Sequence, residues 1–147
     1  LAGFAEAGTV SIKGTKKSDG SRDGGKIVGT RKVKITNHDV YYQFDLRSMA
    51  PAEQKDLRVQ WVVLVNSYKG QVRTGSSGEQ AVTLPPGKVV EVETPTFTLH
   101  EERTGAGRSM DADILGYAVR VYDAAGTLAG ELYEPESERK RLSDEFH

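Results

Sequence analysis

The sequence predicts an all-β fold, built as an antiparallel sandwich. Three observations predict it. Residues 57–66, LRVQWVVLVN, alternate: Leu57, Val59, Trp61, Val63 and Val65 share one face, and Arg58, Gln60, Val62, Leu64 and Asn66 take the other. Alternation at period two marks a strand with one face in a core. About eight or nine strand-like runs recur at roughly 8–15 residues, separated by turn-forming residues. No helical pattern between them is long enough to act as a crossover, which favours antiparallel pairing.

A chain of 147 residues fits one domain with a real core. We read 1–147 as a single unit with a flexible lead-in at 1–8 and a helical tail at 136–147. Hydrophobic residues make up 37% and charged residues 28%, the balance of a globular rather than a disordered chain. No run approaches the ~18 apolar residues of a membrane helix, so no membrane-spanning segment is expected. There is no Cys, which excludes disulfides, thiolate nucleophiles and Cys-held metals. The net charge of −1 gives no general pull toward nucleic acid or membrane. Charge is nonetheless uneven. Lys13, Lys16, Lys17, Arg22, Lys26, Arg31, Lys32 and Lys34 face only Asp19 and Asp23, a local net of +6. No aromatic residues interleave with these bases as a single-strand nucleic-acid platform requires. They read as decoration of a solvated segment, and no nucleic-acid partner is expected.

The elements follow in order. Residues 10–13 are a short first strand. Residues 14–25, GTKKSDGSRDGG, have loop composition, with no apolar residue. Residues 27–36 and 40–46 form a hairpin around the turn-forming Asn37-His38-Asp39, with Val40, Tyr42, Phe44 and Leu46 inward. Residues 51–56 suit one helical turn, because Pro51 fits a first helical position. The core strand then runs to Tyr68, and its apolar centre at Val62 and Leu64 predicts cover on both faces. Lys69-Gly70 offers a turn, 71–73 can pair briefly, and 74–79, TGSSGE, reads as a loop. A strand at 80–84 is broken by Pro85-Pro86-Gly87. Residues 89–93 and 96–101 flank Pro95, which points to an edge strand or one that changes sheets. Residues 102–110 read as loop. Residues 112–122 are the second strong strand, with Leu115, Tyr117, Val119 and Val121 in phase. Asp123-Ala124-Ala125-Gly126 is a hairpin loop, and 127–133 returns with Leu128, Gly130 and Leu132 in phase. After Pro135, Leu142 and Phe146 lie four apart and can anchor a short charged helix.

Trp61 on a central strand and the closing hairpin YAVRVYDAAGTLAGELY resemble the immunoglobulin-like and fibronectin type III-like modules of secreted bacterial proteins. The chain lacks the paired cysteines of true immunoglobulin domains. The resemblance implies a non-catalytic module for protein binding or assembly, working outside the cytoplasm in the periplasm or at the cell surface. The start at Leu1 rather than Met fits a processed precursor. A protein partner or self-association is expected, with carbohydrate as the alternative ligand.

Chemistry-bearing residues are few. Asp19, Ser21 and Asp23 resemble the opening of a calcium loop, with Gly24 at its turn. Position twelve of that loop is Thr30, so half of the ligand set is missing and the solvated-loop reading is preferred; no other cofactor is expected. His38, His100 and His147 are scattered, though His100 has Glu101 and Glu102 beside it, which suits a metal or general-base role in a small hydrolase. Ser76 and Ser77 lie in GSSG, which is not a nucleophile elbow. Glu91 and Glu93 read as edge protection. No catalytic residue is assigned. Tyr41, Tyr68, Tyr122 and Tyr133 fall out of phase with the core and form the candidate binding surface, for stacking on sugars or for a protein interface.

Overall fold

A computed structural model describes residues 9–28, 31–66, 71–104, 109–111 and 113–146. The lead-in at 1–8, the Lys69-Gly70 turn, Gly105, Gly107, Tyr68 and His147 lie outside the described residues. Nine strands are described: β1 (Val10–Val28), β2 (Arg31–Ser48), β3 (Gln54–Asn66), β4 (Val72–Leu84), β5 (Val89–Glu93), β6 (Phe97–Thr104), β7 (Ser109–Asp111), β8 (Asp113–Tyr122) and β9 (Leu128–Glu134). A 3₁₀ turn at Glu136–Glu138 leads into a short helix, α1 (Arg139–Ser143). All pairings are antiparallel. One sheet runs β1-β2-β6-β7, with β5 beside β2, and the other runs β4-β3-β8-β9. The two stack as a sandwich around one core.

The centre of the chain folds as its alternation requires. β3 pairs with β4 on one edge and β8 on the other. Leu57, Val59, Trp61, Val63 and Val65 face Val40, Tyr42, Phe44 and Leu46 of β2 across the interior. Val62 and Leu64 point the other way, into a second cluster with Ala118, Tyr133 and Leu142. That cluster is closed by α1 and by Phe146, so the middle of β3 is covered on both faces. Leu142 is fully buried there. Leu142→Ala should cost about 2 kcal/mol, the low end for such a truncation, because the short helix can lift and admit water. Urea unfolding monitored by circular dichroism measures it, and a loss under about 0.5 kcal/mol would show that the helix does not hold the sheet.

Several expectations are corrected. Residues 14–25 are not a loop; they continue β1 and pair with β2 from Gly14↔Phe44 to Gly25↔Lys34. Asn37-His38-Asp39 is not a turn but lies mid-strand in β2, between β1 and β6. Residues 74–79 belong to β4. Residues 51–56 form no helix: the chain bends and enters β3 at Gln54. Gln54 Nε2 donates to Thr9 O at 3.0 Å and to Ser48 Oγ at 2.7 Å. Pro51, Ala52 and Glu53, the three residues before that strand start, are fewer than one helical turn.

Pro95 interrupts one edge without moving the chain to the other sheet. β5 pairs with β2 at Gln43–Arg47, and β6 pairs with the same side of β2 at Val33–Val40. Between them Thr94 fills the ladder. Its N–H donates to Tyr42 O at 2.9 Å, and Tyr42 N–H donates to Thr94 Oγ1 at 2.9 Å. The phase of β8 also changes. A bulge falls where Leu64↔Gly116 gives way to Val65↔Ile114. Leu115 therefore joins the outer cluster and Ile114 packs on the main core, in place of the single phase expected.

Candidate functional site

The inward face of the first sheet changes character along its length. On β1 the inward positions read Val10, Ile12, Gly14, Lys16 and Ser18, opposite Ser48, Leu46, Phe44, Tyr42 and Val40. Beyond Val40 the same face of β2 carries His38, and β6 carries Leu99 and Glu101. Apolar residues end where the second sheet stops covering them. Two adjoining hollows open there. One, of about 330 Å³, is lined by Lys16, Ser18, His38, Val40, Leu99, His100, Glu101 and Asp113. The other, of about 540 Å³, is lined by Lys16, Tyr42, Asp113, Ile114, Leu115, Gly116, Tyr117, Glu134 and Pro135. They meet at Lys16 and Asp113, one from each sheet.

Strand lengths make this opening. β8 has 10 residues and β9 has 7. β9 pairs with β8 only over Tyr117–Tyr122, while β3 follows β8 down to Asp113. Residues 113–115 thus have no strand on the β9 side among the described residues. The chain departs at Pro135, close against Gly116, where a Cβ would sit 2.7 Å from Glu134 O. The opposite wall is β1. It touches β9 at its start, through Thr9 Oγ1 donating to Ala129 O at 3.2 Å and through Val10 O lying over Gly130. Past that point a slot separates the two strand edges.

Tyr42 and Tyr117 form its floor, with ring centroids 4.5 Å apart. Burial, then the neighbouring Tyr117, pushes the Tyr42 phenol up to about 12. Burial, then Glu134, raises Tyr117. The neutral phenol is therefore the folded form of Tyr42. Its contribution to stability is fully present below its unfolded pKa of about 10 and is lost as pH rises toward 12. A spectrophotometric titration at 295 nm should show a late-ionising phenol that Tyr42→Phe removes. Ionisation of every tyrosine near pH 10 would contradict this.

His38 and His100 do not join. His38 Nε2 lies 3.2 Å from Glu101 Oε2 inside the first hollow, and His100 Nδ1 lies 2.9 Å from Asn37 Oδ1. Ser18 lines the hollow with His38 and Glu101. It stands diagonally across the ladder from His38, with no hydrogen bond between them. Among the described residues no group of three or more His, Cys, Asp and Glu side chains could hold a metal ion. Ser76, the loop serine of the sequence reading, instead accepts a hydrogen bond from Trp61 Nε1 at 3.3 Å.

The other candidate residues are dispersed. Asp19, Ser21 and Asp23 lie along β1 rather than around a loop. An extended strand sets residues four apart at about 13 Å, which is too far for one calcium at 2.3–2.6 Å from its ligands. Asp19 Oδ2 instead accepts from Thr96 Oγ1 at 3.3 Å, and Asp23 Oδ1 from Thr36 Oγ1 at 3.0 Å. Tyr133 is not a surface residue; it is 3% exposed. The guanidiniums of Arg120 and Arg139 lie 5.8 and 4.4 Å from its ring centroid. Arg120 also donates to Tyr133 Oη at 2.7 Å, to Tyr122 Oη at 3.5 Å and to Ser143 Oγ at 2.6 Å. Tyr41 and Tyr122 are half-buried and lie on the outer faces of different sheets. Tyr41, Tyr122 and Tyr133, the described members of the set, therefore make no common platform.

Sequence reasoning missed the slot. Its signals were the drift from Val10 to Ser18 on one face of β1 and the mismatch in length between β8 and β9.

No family model matches the chain, and no curated protein does. Among solved structures, it is similar to Northeast Structural Genomics Consortium target SoR45, at 7% identity and a TM-score of 0.41, over 85% of this chain and 81% of that one. It is also similar to a protein from Akkermansia muciniphila, at 7% identity and a TM-score of 0.31, over 86% and 72% of the two chains. No helix among the described residues is long and apolar enough to cross a membrane.

Proposed function

We propose that the chain is a non-catalytic, immunoglobulin-like module of an extracytoplasmic bacterial protein, working in protein binding or assembly. The observation that supports the reading is the slot between β1 and β8. It pairs an open strand edge with adjoining hollows of about 330 and 540 Å³, a size suited to a few side chains of a ligand. Open edges recruit extended peptides through main-chain hydrogen bonds, and pockets beside them select side chains.

Selection of a displayed peptide library on the immobilised chain tests this, followed by amide chemical-shift mapping with ¹⁵N-labelled protein. Peptides that shift Lys16, Asp113, Ile114 and Gly116 support the reading. Shifts at these residues from oligosaccharides alone would favour a carbohydrate module instead.

One observation speaks for a hydrolase, the presence of Ser18, His38 and Glu101 in one hollow. Nucleophilic catalysis needs the serine held by the base, and His38 instead faces Glu101. A fluorophosphonate probe should leave Ser18 unlabelled. Labelling lost in His38→Ala would overturn the non-catalytic reading.

A further inference from the structure

The slot has a charge as well as a shape. Glu101, Asp113 and Glu134 line it, against Lys16 and the His38 already paired with Glu101. Asp113 and Glu134 have no ion-pair partner among the described residues, although the hairpin opposite them is rich in bases. The wall that carries them is also the wall whose strand edge, residues 113–115, is unpaired on the β9 side among the described residues. We propose that the slot takes an extended segment of a partner protein bearing a lysine or arginine, which adds to β8 in line with β9 and sets its cation against Asp113 and Glu134. This rests on the peptide-binding reading above and names the partner's chemistry.

The geometry limits the segment. Three unpaired residues span about 10 Å of strand, so about three to five ligand residues can pair there. Alternate side chains, about 7 Å apart, then drop toward the hollows beside Lys16. The apolar walls, Val40, Leu99 and Ile114, accept β-branched residues two positions from the cation, which share its face. An acidic segment meets two carboxylates at the same place and is rejected, which gives selectivity without base pairs or metals.

The test uses the whole chain and four blocked pentapeptides. Three have the pattern Thr-Val-X-Val-Thr, with X as lysine, glutamine or glutamate. The fourth is the lysine peptide with N-methylated valines. The lysine peptide should bind at least tenfold tighter than the glutamate peptide, shift the amides of Ile114 and Leu115, and weaken as salt rises. N-methylation should abolish binding. Asp113→Asn combined with Glu134→Gln should cut affinity for the lysine peptide tenfold or more and leave the glutamine peptide within about twofold. The peptide series needs no protein variant, so misfolding cannot imitate the result. Equal binding of the lysine and glutamate peptides overturns the charge inference while leaving the slot a peptide site. Failure of all four peptides, and of every library peptide, to move the slot amides overturns both.

Discussion

Trp61→Ala should cost about 3–5 kcal/mol and lower the melting temperature by roughly 6–20 °C for a domain of this size. Trp61 is 6% exposed at the centre of β3, which is paired on both edges. Its ring lies over Gly78 of β4, where an added Cβ would come 2.5 Å from Trp61 Cζ2. Alanine would leave a hole above a glycine, between backbones fixed by their ladders, so little can collapse into it. It would also strip the indole N–H from Ser76, whose side chain is itself buried, leaving that hydroxyl without its partner. Denaturant unfolding by circular dichroism gives the number. In the native protein, emission should be blue-shifted and resistant to acrylamide. A loss below about 1 kcal/mol, or red-shifted native emission, would remove Trp61 from the core.

The same residue shows why parts of the fold were legible. Residues 57–66 and 40–46 each have one face wholly in the interior, and burial writes alternation into sequence. Fold class, the central strand, the closing hairpin and the Leu142 anchor all followed from such patterns. Residues 74–79 did not, because their glycines were read as turn signals. Gly75 lies under Val65 and Phe97, and Gly78 under Trp61; they are small because large partners lean across them. Asn37-His38-Asp39 misled in another way. These residues have turn chemistry, but here they spend it across strands. Asn37 meets His100, His38 meets Glu101, and Asp39 Oδ1 accepts from Arg22 and from Thr98.

The candidate site was less legible than the fold. Lys16 and Ser18 carry an inward phase, but with no second sheet above them they are polar. Composition alone cannot separate such a strand from a loop. The tyrosines failed for the opposite reason. Tyr133 falls outside the main core's phase, as expected, yet a second cluster under α1 buries it. A two-sided sheet hides which of its faces is solvent.

Deleting residues 16–22 should lower the melting temperature about as much as Trp61→Ala does. Loop composition alone would make the segment dispensable, because it offers nothing apolar to bury and long loops cost little to close. The ladder reverses that expectation. Lys16↔Tyr42 through Arg22↔Asn37 is continuous apart from a bulge at Asp19. Without it, that side of β2 loses its strand just where Tyr42 and Val40 form the core's margin, and their backbone groups need new partners. Rejoining residue 15 to 23 also slides residues 23–28 along β2, setting residue 23 opposite Tyr42 instead of Thr36, so the later pairings Asp23↔Thr36 to Val28↔Arg31 are lost. Charge is not the cause. Arg22 pairs with Asp39 at 2.9 Å, but its side chain is 66% exposed, and such pairs contribute little. A full-length variant with Lys16, Lys17 and Arg22 all changed to Thr keeps the strand and should stay within about 1 kcal/mol of the parent. Melting curves for the two variants, with amide exchange at Val40 and Tyr42, separate backbone pairing from charge. A deletion that melts with the parent would mean β1 ends before Lys16, and the slot would lose its wall.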